Sequence, residues 1–182
     1  MTDSQVVPEI DVLVASALWL YRRSVLPHTF SVARGAGIDA KESQDRIVRS
    51  LRAAGMPEVA VKYLRFASDG PDLVGVSGSE YWKIECKGAG TGKAQTQRNN
   101  FDRALASVVS YYEDVAERAE IPPGGQLALG LALPATGAYL GELRRRVRAA
   151  LRSRLNLWIL LYDPASRALR PISPGQDYEH EG

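Results

Sequence analysis

The chain reads as an α/β protein, a mixed sheet flanked by helices, on three observations. Segments with apolar residues at the 3, 4, 7, 8 spacing of an amphipathic helix recur along it. Between them lie short runs rich in Val, Ile, Leu, Tyr and Trp, with the dimensions of strands. The two kinds are interspersed rather than grouped, which is the pattern of helices layered on a sheet. With 182 residues, 45% of them hydrophobic, the chain can bury a core without staples, and no repeat or low-complexity segment divides it. A single domain is expected, with residues 1–37 a helical extension, 38–162 the core and 163–182 a loosely attached tail.

The elements follow in order. Ile10, Leu13, Val14, Ala17, Leu18 and Tyr21 share a face, which predicts a helix over Glu9 to Val25, after Pro8 and stopped by Pro27. A loop with Gly35 and Gly37 leads to Asp39, an N-cap for a second helix through Ala54 that Gly55 and Pro57 close. Its core face carries Ile47, Val48 and Leu51. Alternation of Val59, Val61 and Tyr63 predicts a strand over Glu58 to Phe66. Asp72 to Val76 and Glu80 to Lys87 predict two more, joined by the tight connection Ser77-Gly78-Ser79. Three strands so close in sequence are expected to form an antiparallel meander.

After Gly88, Gly90 and Gly92, a long helix is expected from about Thr96 to Ala119, with Phe101, Leu105, Val108, Val109 and Tyr112 inward. The neighbouring pair Tyr111 and Tyr112 reads mainly as core. Leu127 to Leu133 is nearly unbroken in its apolarity, the mark of a strand buried on both faces. A helix from Gly137 to about Leu155 and a fifth strand, Leu157 to Tyr162, complete the order. That helix carries six arginines and one acid, a local +5, in a chain whose net charge is only +2. Arg144, Arg148 and Arg152 recur every four residues as a stripe, either a solvated face or a track along a nucleic-acid backbone, opposite Leu140, Leu143, Val147 and Leu151.

Several classes of function are disfavoured. One cysteine, Cys86, cannot make an internal disulfide, and the acidic start (Asp3, Glu9, Asp11) is unlike a secretory signal. The longest apolar run, Val12 to Tyr21, is about half of the ~20 residues that span a bilayer, so no membrane association is expected and the cytoplasm is the expected compartment. Two histidines, His28 and His180, with one cysteine make no zinc site. The run Gly88-Ala89-Gly90-Thr91-Gly92-Lys93 lacks the Lys-Ser/Thr ending of a phosphate loop, because Ala94 follows Lys93.

The residues that carry chemistry lie on the hairpin of the second and third predicted strands. Side chains alternate along a strand, so Trp82, Ile84 and Cys86 take the core face while Lys83, Glu85 and Lys87 take the other. Cys86 is then a small core residue and not a nucleophile. The hairpin brings Asp72 beside Glu85 at the strand's end. Two converging carboxylates suit Mg²⁺, a hard cation that takes one or two carboxylates plus water and substrate phosphate oxygens. A lysine two residues on can orient and help deprotonate a water, or neutralise charge on a phosphorane.

Pro71-Asp72 followed by Glu85-Cys86-Lys87 on adjacent predicted strands, after a helix and before another, resembles the PD-(D/E)xK nuclease superfamily, with its restriction-endonuclease-like fold. The resemblance covers Lys41 to about Tyr112. It implies a Mg²⁺-dependent deoxyribonuclease, an endonuclease on double-stranded DNA, with Mn²⁺ able to replace Mg²⁺. Asp72, Glu85 and the main-chain carbonyl of Cys86 would hold the metal, and Lys87 would activate water. Members add an acid or glutamine from the preceding helix. Gln44 lies on the sheet-facing side of the second helix and Glu42 nearly opposite, so Gln44 is favoured; the metal count, one or two, stays open. A glutamine near the start of the following helix fits Gln97, more loosely Gln95. Lys83, Lys93, Gln97 and Arg98 are the expected nucleic-acid contacts. A homodimer is compatible with cutting both strands. The alternative is a catalytically inactive domain of the same fold that binds nucleic acid or protein, a reading fed by the missing carboxylate at Gln44.

Overall fold

The computed structural model describes residues 6–32, 39–90, 94–112, 121 and 124–178. Within them run α1 (Glu9–Arg22), β1 (Leu26–Ser31), α2 (Ala40–Ala53), α3 (Glu58–Lys62), β2 (Arg65–Ala67), β3 (Leu73–Val76) and β4 (Glu80–Cys86). There follow α4 (Ala94–Ser110), β5 (Gln126–Pro134), α5 (Gly137–Arg146), α6 (Ala149–Leu155), β6 (Leu157–Asp163) and β7 (Ala168–Ile172). The strands form one mixed sheet in the order β2-β1-β3-β4-β5-β6-β7. β4, β5 and β6 are parallel, joined by helical crossovers, whereas β3 is antiparallel to both β1 and β4. The mixed α/β class holds, with seven strands where five were expected.

Both faces of the sheet are covered. Cys86 Sγ lies 3.9 Å from Ser16 Oγ on α1, while its neighbour Glu85 accepts a hydrogen bond from Tyr111 just beyond α4. Adjacent strand residues face opposite ways, so α1 and α4 lie on opposite sides. On the α1 side Trp19, Trp82 and Trp158 pack together, with ring centroids 5.3 to 5.9 Å apart. On the other side Phe101, Ala104 and Val108 of α4 are buried, and α4 packs on α5.

Several expectations are corrected. Pro27 does not stop the first helix: α1 ends at Arg22, Ser24 takes a left-handed conformation (φ 61°), and Pro27 lies within β1. The register between β1 and β3 shifts between Pro27 and Thr29, and such an irregularity tolerates a residue without an N–H. Residues 58–62 are helical, because Pro57 starts a turn that leaves Val59 and Tyr63 exposed and buries only Val61. The remaining strand there, β2, pairs with β1 in parallel, so the antiparallel trio is β1, β3 and β4.

The arginine-rich helix is two helices. Val147 and Arg148 are non-helical, with Arg148 extended at ψ 157°, and the four-residue stripe is broken there. Arg152 is fully buried while Leu151, expected inside, is 38% exposed. Finally, residues 163–178 are no loose tail. β7 pairs with β6, Arg152 donates to the carbonyls of Ser173 and Gln176, and the Tyr178 hydroxyl donates to the Val147 carbonyl. Residues 6–32 are likewise no extension, since α1 crosses the sheet and β1 is an interior strand. The long helix is described to Ser110; the part expected over 113–119, like the loop glycines 35, 37 and 92, lies outside the described residues. Among the described residues no helix is long and apolar enough to cross a membrane.

Candidate active site

The hairpin register sets the site. Leu73 pairs with Ile84, so Asp72, one residue before β3, stands across from Glu85. Its carboxylate Oδ2 accepts the Cys86 N–H at 2.7 Å, and its carbonyl accepts the Ser31 N–H of β1 at 3.0 Å. Asp72 is thus held from both neighbouring strands at the end of β4. Lys87, the next residue beyond β4, turns its ammonium into the gap. Nζ lies 2.9 Å from Glu85 Oε1, 3.7 Å from Asp72 Oδ2 and 3.5 Å from Glu9 Oε2, and donates to the Cys86 carbonyl at 2.8 Å.

Glu9 is the residue that sequence reasoning missed. It opens α1, and the chain before it is pinned to the loop after β4: Val7 and Ala89 exchange backbone hydrogen bonds of 2.7 and 2.8 Å. Gly88 permits that approach. A Cβ there would lie 2.7 Å from the Glu9 amide nitrogen and closer still to the Val7 carbonyl. The only local trace of Glu9's position was an acid after Pro8 at a helix start. Nothing local ties it to a motif on the far side of the sequence.

Gln44 is half-buried on α2, which packs on α1 and α3. Glu42 is exposed beside a cleft of about 350 Å³ with Asp39, Lys41 and Asp45. Lys83 is buried at 7% exposure, 6.0 Å from the Tyr81 ring, on a face expected to be open. Gln97 and Arg98 line a separate cleft of about 340 Å³ between α4 and α5, where Arg98 approaches Glu142 at 3.5 Å. Lys93 lies outside the described residues. Tyr112 is 53% exposed rather than core, whereas Tyr111 is half-buried and its hydroxyl donates to Glu85 Oε2 at 2.7 Å.

The electrostatics follow from burial. Removal from water pushes the Asp72 carboxyl up to about 7, with Glu85 adding to the rise and the Lys87 ammonium opposing it. Burial would lower Lys87, yet Asp72, Glu9 and Glu85 together outweigh it and hold the ammonium above its ordinary value. Burial also raises the Cys86 thiol well above its usual range, so it is an inert core sulfur.

Among the described residues no three His, Cys, Asp or Glu side chains form a ready metal cluster. The donors at the end of β4 are two carboxylates and one carbonyl, all hard oxygens, and they already surround one cationic group. The near oxygens of Asp72 and Glu85 cannot be farther apart than their two distances to Lys87 Nζ combined. Such a donor set fits Mg²⁺ and not a thiolate- or imidazole-seeking metal. A cleft of about 430 Å³ opens beside it, lined by Glu9, Lys87, Gly88, Gly90, Asn100 and Arg103. No family model, curated protein or solved structure matches the chain.

Proposed function

We propose that the protein is a Mg²⁺-dependent nuclease of the PD-(D/E)xK type, with a restriction-endonuclease-like arrangement of β1, β3, β4 and β5, that hydrolyses DNA phosphodiester bonds. One observation carries this reading: the carboxylates of Asp72 and Glu85 both reach a single Lys87 ammonium at the end of one hairpin. Antiparallel β1, β3 and β4, followed through α4 by parallel β5, support it.

Asp72, Glu85 and the Cys86 carbonyl are the groups that would hold the cation. When bound, Mg²⁺ supplies Lewis-acid polarisation of a phosphoryl oxygen and lowers the pKa of water. The chain's own groups do the rest. Water attacks phosphorus in line and the opposite P–O bond breaks, the attacking water losing its proton to solvent and the departing oxygen taking one from solvent. Lys87, held protonated by three carboxylates, is suited to donate hydrogen bonds to the charge building on the phosphoryl oxygens. Glu9 holds Lys87 from the α1 side. Arg103, an exposed residue lining the cleft, is our candidate for a flanking phosphate. The alternative of an inactive domain leaned on a missing helix carboxylate, and Glu9 is such a carboxylate.

The test is incubation with duplex, single-stranded and branched DNA, and with RNA, with and without Mg²⁺ or Mn²⁺, beside a Lys87→Ala variant. Metal-dependent cleavage that the substitution abolishes is expected. Absence of cleavage from every substrate, or cleavage unchanged in Lys87→Ala, overturns the catalytic reading.

A further inference from the structure

The two oxygens of Glu85 have different partners. Oε1 faces the Lys87 ammonium at 2.9 Å, and Oε2 accepts from the Tyr111 hydroxyl at 2.7 Å. Glu85 is only 5% exposed, so Tyr111 supplies to Oε2 what bulk water does not. The same hydroxyl lies 3.4 Å from the Gly70 carbonyl, in the turn that leads into Asp72. Ser107, one helical turn earlier, neighbours the Tyr111 hydroxyl.

A carboxylate held at one oxygen by a fixed donor presents the other in a fixed direction. We propose that Tyr111 is a positioning residue for the cation site: it locks the Glu85 carboxylate so that Oε1 is offered to the gap shared with Asp72 and Cys86. This rests on the reading of Asp72 and Glu85 as holders of a divalent cation. Such outer partners orient a ligand and set its basicity, and losing one typically weakens metal binding by about 10- to 100-fold. Tyr111→Phe removes the donor and keeps the ring.

The experiment is calorimetric titration of the full chain with Mn²⁺ alone, without DNA, for the wild type, Tyr111→Phe, Ser107→Ala and, as a control, Tyr112→Phe. The wild type and Tyr112→Phe bind alike; Tyr111→Phe binds about tenfold more weakly; Ser107→Ala shifts less in the same direction. In cleavage assays Tyr111→Phe raises the Mn²⁺ concentration for half-maximal rate and regains most of the rate at saturation, a split that a general loss of structure does not produce. A wild type that binds Mn²⁺ beside an equally tight Tyr111→Phe overturns this inference and leaves the nuclease reading standing. A wild type that binds no Mn²⁺ overturns both. If Tyr111→Phe does not fold, Ser107→Ala decides, and unchanged binding there overturns the inference.

Discussion

Asp72 is a buried acid kept at the folded protein's expense. Its carboxyl is pushed up to about 7, above the ordinary value of 3.8, so between those values the folded chain holds a proton the unfolded chain has lost. Its contribution to stability is therefore fully present below about pH 4 and is lost as pH rises through about 7. A three-unit shift is worth about 4 kcal/mol at most, the opposing pull of Lys87 already included in it. Asp72→Asn is expected to raise the unfolding free energy at pH 8 by about 2 kcal/mol and to gain nothing at pH 4. Urea melts at the two pH values check this; equal gains at both refute it. Gly88 is the second informative residue. Gly88→Ala forces a Cβ against the backbone that carries Glu9, so a cost of about 1–3 kcal/mol and a displaced Glu9 are expected. Thermal melts and the cleavage rate report the two effects; a variant as stable as the wild type contradicts the close approach.

At the scale of elements, the break at Val147 and Arg148 decides what the arginines do. In one continuous helix Arg144, Arg148 and Arg152 would share an exposed face. After the break Arg152 turns inward, stacks 4.7 Å from the Tyr178 ring centroid and bonds two carbonyls of the C-terminal segment, while Arg145 and Arg146 pair with Glu142. Arg152→Ala is expected to cost about 3 kcal/mol, because two carbonyls lose their donor and the long side chain its packing. That corresponds to a fall in Tm of roughly 10 °C. An unchanged Tm would favour the solvated stripe that the spacing predicts. The core periodicity of α2 and the unbroken apolarity of β5 were legible because each depends on residues within one element. The strand at Pro27 was not, since its irregular register is set by β3, far along the chain.

Across the whole molecule, seven strands in one sheet need two edges, and β2 and β7 supply them. β7 has Arg170 and Pro171 at exposed positions, features that discourage further pairing, and it shields β6, which is apolar along most of its length. A chain ending at Asp163 would expose the β6 edge. It is expected to precipitate or to elute as larger species than the full chain on size exclusion; unchanged elution would show that β7 is dispensable. The near-neutral total charge also takes on a different meaning in three dimensions. Of the six arginines behind the local +5, Arg145 and Arg146 pair with Glu142, Arg146 also with Asp102, and Arg152 is buried against carbonyls, while the carboxylates at the end of β4 surround Lys87.

By itself the sequence determined the alternation of helices and strands, the β3–β4 hairpin, and with it the meeting of Asp72, Glu85 and Lys87. All of these follow from periodicity and from a short connection, which act over a few residues. The tertiary structure alone decided that Glu9 reaches Lys87, that Tyr111 bonds Glu85, and that Lys83 is buried. Those outcomes depend on which distant elements pack side by side, and a contact made across the fold leaves no spacing for the sequence to display.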